Sequence, residues 1–157
     1  MPSSGVPDRD TDRAAAVLTA ALPALYRALE RRIDREFPHP RLPEGRLWLL
    51  WLVEEHEGIT VREAADALLM KPNNVSALVS RLTEQGLLER RQDAVDRRIA
   101  HLYPTDTARQ RLAEARRLKE AHMTRALRAL TDGELDALGS ALGALTSLAR
   151  HLRSAAG

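Results

Sequence analysis

The sequence predicts a mainly α-helical chain with one small β-hairpin, and three observations predict it. Apolar residues make up 44% of the 157 positions. Over most of the chain they recur at three- and four-residue steps, the spacing of one helical face. Aromatic residues are only 3%, so the core has to be built from Leu, Ala and Val, a composition that favours helices. One stretch breaks the pattern. "LLERRQDAVDRRIAHLY", residues 87–103, has two short strand-like runs around a charged loop, which reads as a hairpin with a long tip.

Residues 1–10, "MPSSGVPDRD", have the composition of a flexible tail. From about Thr11 a helical stripe begins, with Val17, Ala20, Ala21, Ala24, Leu25, Ala28 and Leu29. Pro23 lies within it, where a kink or a break is expected. "PHPRLP", 38–43, should stop this helix near Phe37. "EGRLWLLWLVEEHEG", 44–58, has apolar residues on every side, the mark of a short helix buried in the interior, with Gly58 as its stop. Ile59 and Thr60 form a stub of strand. Thr60 and Glu63 then make a capping box for a helix whose inner stripe is Val61, Ala64, Ala65 and Leu68.

Met70 and Lys71 separate that helix from the next. Pro72 suits its first position, and Val75, Leu78, Val79 and Leu82 form its inner face. It ends at Gly86, and the hairpin follows. Pro104 and Thr105 restart a helix that runs to about Leu130 and is rich in Lys and Arg between 109 and 128. Glu114 and Glu120 lie among these cations, which suits a solvated face with pairing along the helix. Thr131 and Glu134 make a second capping box. In the last helix Leu135, Leu138, Leu142, Leu145, Ala149 and Leu152 make a heptad stripe.

Several function classes are excluded by what is missing. The longest apolar run, "LWLLWLV" at 47–53, is too short to cross a bilayer, and no secretory signal is visible. A cytoplasmic protein without a membrane partner is expected. The chain has no cysteine, which excludes a disulfide framework, a thiolate nucleophile and a thiol switch. "EEHE", 54–57, is the one stretch suggestive of metal. His39, His101, His122 and His151 are scattered, so an exposed helix end is the simpler reading and no metal or cofactor is expected. No nucleophile–base pair, phosphate-binding glycine loop or paired carboxylates point to an enzyme. Net charge is +2, from 24 basic and 22 acidic residues, so the placement of charge matters more than its sum.

That placement is informative. The helix at 72–84 has an outward face that is short, polar and hydrogen-bonding: Asn73, Asn74, Ser76, Ala77 and Ser80. Two short helices joined by a tight turn, followed by a basic hairpin, make a winged helix-turn-helix. In such a lobe the second helix enters the major groove. Asn matches adenine by donating and accepting together, and small residues let the helix approach the groove floor. Lys71 and Arg81 flank the same face. Arg97 and Arg98 lie at the wing tip, where they can reach a minor groove or its phosphates. Arg62, Arg90 and Arg91 are candidate phosphate contacts, and Asp96 is expected to orient an arginine or cap the loop.

"ITVREAADAL…NNVSALVSRLTEQGLLERRQDAVDRRIAHLYPT" resembles the MarR (multiple antibiotic resistance regulator) family of winged-helix transcription factors. The most specific stretch is "LVSRLTEQGLLERR", followed by the wing Asp96-x-Arg98 and Thr105 seven residues later. The chain departs from the family pattern at Pro104, Ala77 and Pro23. The resemblance implies a mainly α fold with a winged helix-turn-helix lobe at 44–104. It implies a dimerisation base from 11–43 and 105–153, and leaves 154–157 as a tail. It also implies a homodimer on a palindromic operator of double-stranded DNA, usually a repressor released by a small-molecule inducer. The heptad leucines Leu135, Leu138, Leu142, Leu145 and Leu152 are the expected dimer seam. Trp48 and Trp51 are candidates for a ligand-pocket wall, against the simpler reading that they fill the core. The alternative function is a winged-helix protein-protein interaction module, which would need a large exposed apolar anchor on the face 73–81.

Overall fold

The computed structural model describes residues 7–154. In chain order these form α1 (Pro7–Ile33), α2 (Glu44–Glu55), α3 (Val61–Ala67), α4 (Pro72–Glu84), β1 (Leu88–Gln92), β2 (Ala100–Pro104), α5 (Asp106–Leu127) and α6 (Asp132–Ser154). They divide into two compact units. One runs from Ile33 to Leu118, and the other joins the residues up to Arg32 with those from Lys119 onward. The unit from Ile33 to Leu118 contains the expected lobe, 44–104, and the division falls inside α5.

The first unit is organised around one apolar core. Leu49, Leu50 and Val53 of α2 meet Ala64 and Ala65 of α3 and Val75, Val79 and Leu82 of α4. Leu87, Leu88 and Leu102 close it from the hairpin, and Ala108 and Leu112 from α5. The all-round burial expected of α2 is not what the structure shows. One face of α2 packs on α4 and β2, and Trp51 is partly buried against the core. Trp48, on another side, is 49% exposed. A single layer of neighbours covers only one stripe of a helix.

The helix ends follow local chemistry. The Thr60 side chain accepts from the Glu63 backbone N–H, and the Glu63 carboxylate accepts from the Thr60 N–H. The α3–α4 turn is tighter than its sequence suggests. The Met70 N–H donates to the Ala65 carbonyl at 2.9 Å and Leu69 to Asp66 at 3.3 Å, the pairing of a Schellman motif. It places Leu69 at φ 53, a left-handed conformation that costs a branched side chain roughly 1–2 kcal/mol. Leu69 is also 83% exposed, so its side chain has little packing to lose. Leu69→Gly is therefore expected to stabilise the fold by about 0.5–1 kcal/mol after the added chain entropy of glycine is subtracted. The midpoint of urea unfolding checks this, and a lower midpoint would refute it. At the end of α4 the same motif uses Gly86, at φ 68, with Leu87 donating to the Leu82 carbonyl at 2.8 Å.

β1 and β2 pair antiparallel, with Arg90 opposite Leu102 and Arg91 opposite His101. The predicted strand stub joins them. The Leu102 N–H donates to Ile59 at 2.9 Å, the Gly58 N–H donates to Leu102 at 2.8 Å, and Thr60 bridges His101. Gly58 lies at φ 86, and a Cβ there would meet the Tyr103 hydroxyl at 3.1 Å. Thr105 locks the end of the hairpin. Its hydroxyl donates to the Gly86 carbonyl at 2.6 Å and accepts from the Ala108 N–H at 3.2 Å, so one side chain both caps α5 and ties it to the end of α4.

The acidic stretch at the end of α2 pairs with α5. Glu57 accepts from Arg109, and Glu54 accepts from Arg116 at 3.0 Å. Glu114 meets His39 at 3.1 Å. These three bonds lead away from α5, so the pairing along the helix expected of Glu114 is replaced by pairing across elements. Among the described residues no cluster of three or more His, Cys, Asp or Glu could hold a metal.

In the second unit α1 begins at Pro7 and runs unbroken through Pro23. Residues 7–10 of the expected tail are thus helical, and the helix stops at Ile33 rather than near Phe37. Residues 1–6 and 155–157, the rest of the expected tails, lie outside the described residues. Lys119 pairs with Glu30 at 2.8 Å and lies over the Tyr26 ring. The Thr131–Glu134 capping box starts α6. Its heptad leucines are exposed in the single chain, as are Val17, Leu22 and Leu25 of α1. A cavity of about 380 Å³ is lined by Leu25, Ala28, Leu29 and Arg32 of α1 and by His122, Met123, Arg125 and Ala126 of α5. Neither Trp48 nor Trp51 lines it, so the expected tryptophan wall is not formed at this cavity. No described helix is long and apolar enough to cross a membrane.

Candidate nucleic-acid interface

The buried stripe Val75, Val79 and Leu82 fixes how α4 is turned. With that stripe on the core, Asn73, Asn74, Ala77, Ser80 and Arg81 are exposed and Ser76 is half-buried. Lys71 is the N-cap residue and Pro72 holds the first position. The Lys71 carbonyl accepts from the Asn74 and Val75 N–H groups, so both Asn side chains project from the first turn. Arg62 is exposed in the first turn of α3. Among the described residues, no large apolar side chain is strongly exposed between 73 and 81.

The hairpin is tied to this face. Arg90 donates to the Ser80 hydroxyl at 3.2 Å, and that hydroxyl donates to the Ser76 carbonyl at 3.0 Å. Ser80 therefore carries Arg90 beside α4, which a reading of α4 alone does not reveal. Arg91, one residue on, points elsewhere. Its guanidinium lies 4.3 Å from the Tyr103 ring centroid and pairs with Glu89. Strand alternation separates the two arginines, and Arg91 is not grouped with the α4 face. Arg81 pairs with Glu84 at 3.3 Å, an exposed pair that is readily exchanged for another anion.

At the wing, Asp96 accepts three bonds from Arg98: from its backbone N–H at 3.0 Å, its Nε at 3.1 Å and its Nη2 at 3.2 Å. The Arg98 side chain is 91% exposed, so the carboxylate aims a solvated guanidinium without burying it. Those bonds, the side-chain one foremost, hold the Asp96 carboxyl below its ordinary range. Arg97 is exposed beside it. Asp93 was not singled out in the sequence, yet it organises the same loop. Its Oδ1 accepts from the N–H groups of Val95 at 2.8 Å and Asp96 at 2.9 Å. Its carboxyl is held down to about 2 by the Asp96 N–H, then by His101 and the Val95 N–H. An Asp accepting from the N–H two residues on is a turn signal, and "DAVD" carried it.

Residues 42–99 match the family model described as the MarR family. The chain carries a MarR-family winged lobe. Similar proteins extend the likeness beyond that lobe. The chain is 24% identical over 127 residues to the HTH-type transcriptional repressor MdtR of Bacillus subtilis, covering 81% of this chain and 82% of that one. It shares the fold of a candidate transcriptional regulator from Pseudomonas aeruginosa, with TM-score 0.76 and 26% identity over 89% of this chain and 96% of that one. Streptococcus pneumoniae FabT, solved in complex with DNA, is similar at TM-score 0.66 and 17% identity, covering 90% of this chain and 99% of that one. The matched residues 42–99 contain α2, α3, α4 and β1.

Proposed function

We propose that this MarR-family chain is a sequence-specific, double-stranded DNA-binding transcriptional regulator, a homodimeric repressor released from a palindromic operator by a small-molecule ligand. The observation that carries the reading is the exposed face of α4. It is small and polar, and it lies next to Arg90, which is held on Ser80. Asn73 and Asn74 supply amides for base edges, and Ala77 and Ser80 admit close approach. Arg62, Lys71, Arg90, Arg97 and Arg98 supply phosphate contacts. The repressor name of the Bacillus relative and the DNA held by the pneumococcal one support the same reading. Release by a ligand has a candidate receptacle in the α1–α5 cavity, apolar with Arg32 and Arg125 in its lining. A protein-docking role is disfavoured because the α4 face lacks an apolar anchor.

A mobility shift with the DNA upstream of the protein's own gene tests the proposal. Binding is expected to weaken steeply with salt, because each phosphate neutralised releases counterions and contributes about −0.9 to the log–log slope. A flat salt response would oppose the arginine–phosphate assignment. Asn74→Ala is expected to narrow the gap between operator and random DNA by about 1–3 kcal/mol, the discrimination of one bidentate amide–adenine contact. Competition binding measures both affinities. An equal fall in the two would place Asn74 on the backbone alone.

A further inference from the structure

We propose that His101 is a positioning residue of the wing, clamped as an imidazolium between the Gly58 carbonyl and the Asp93 carboxylate, so that DNA affinity falls when the ring loses its proton. That role rests on the proposed DNA binding. The ring Nδ1 lies 2.7 Å from the Gly58 carbonyl oxygen, and Nε2 lies 3.0 Å from Asp93 Oδ2. Both partners can only accept. A neutral imidazole has one N–H, so one of these contacts would set a lone pair against an oxygen. Only the doubly protonated ring satisfies both at once.

The two ends of the clamp matter because of what they hold. Asp93 Oδ1 accepts the N–H groups of Val95 and Asp96, and Asp96 in turn aims Arg98. Gly58, in the loop between α2 and α3, bonds Leu102 of β2. The ring thus joins the root of the wing loop to the body of the lobe. The charged groups around it favour the cation: Asp93 at its tip and Glu63 from α3. Arg91 is its cross-strand neighbour, but that guanidinium lies over Tyr103 and pairs with Glu89.

The bond to Asp93, then the bond to Gly58, raise the His101 pKa above its ordinary value of 6.5. A raised folded value means that the clamp is complete below the ordinary value and is lost as pH rises through the folded one. The sensitive window therefore lies above the ordinary value of 6.5.

The test has two readouts on the full chain. Imidazole nitrogen shifts followed by NMR are expected to show the His101 ring mostly protonated on both nitrogens at pH 6.5, where an ordinary imidazole is half neutral, and a mostly neutral ring there would overturn the clamp. Fluorescence anisotropy with a labelled random-sequence duplex at low salt gives affinity against pH. Wild-type affinity should fall more than that of His101→Gln as pH rises, by up to about tenfold per pH unit for one linked proton. Asp93→Asn offers the neutral ring a donor, so its excess pH dependence should vanish. Binding with superimposable profiles for the wild type and His101→Gln overturns the positioning role. Binding at no pH overturns the DNA-binding reading beneath it.

Discussion

Arg98→Ala is expected to weaken binding to duplex operator DNA by about tenfold or more, since a hydrogen bond to a charged group contributes about 1.5–3 kcal/mol. Thermal stability should barely move. The Arg98 side chain is 91% exposed, and its partner Asp96 is partly exposed too. Exposed pairs of this kind contribute little to folding. The backbone bond from residue 98 to Asp96 survives in the alanine variant, so the loop keeps its turn. Titration of labelled operator beside a melting curve separates the outcomes. A large drop in Tm would make Arg98 a structural residue, and unchanged affinity would remove it from the interface.

Leu142→Asp is expected to convert the protein to monomer and abolish operator binding. Leu142 is 61% exposed in the single chain, so the substitution leaves the fold of one chain without a buried charge. In a two-fold seam the same position would place an unpaired carboxylate among leucines, at a cost of several kcal/mol. The exposed leucines of α6 and the exposed Val17, Leu22 and Leu25 of α1 are the apolar side chains that such a seam would cover. A dimer also suits a palindrome, because two recognition helices then meet successive major grooves. Sedimentation at micromolar concentration checks it. A wild-type monomer that still binds a palindrome tightly would sink the dimer proposal, and an unfolded variant would show that Leu142 packs within its own chain.

Much of the helical plan was legible because its signals are local. Pro72 and Gly86 punctuate α4, and both Thr–x–x–Glu boxes form as their spacing requires. The polar face of α4 was legible for the same reason, since the helical period sets Val75, Val79 and Leu82 on one side and Asn73, Ala77 and Ser80 on another. Local rules also misled. Pro23 signals a break, yet α1 continues through it. Nothing in "ALLMKP" marks Leu69 for the left-handed conformation it adopts.

The sequence by itself determined the order of elements, the buried stripe of α4, the two capping boxes and the resemblance of the winged lobe. All of these depend on residues a few positions apart. The tertiary structure alone decided how the lobe's polar groups are shared. It set Arg90 on Ser80, Arg91 on Tyr103, Arg109 on Glu57 and His101 between Gly58 and Asp93. Each of these contacts joins separate segments of chain. A side chain's reach is a few ångströms, so its partner is whatever the packing of the core brings within that distance, and no spacing along the chain encodes it.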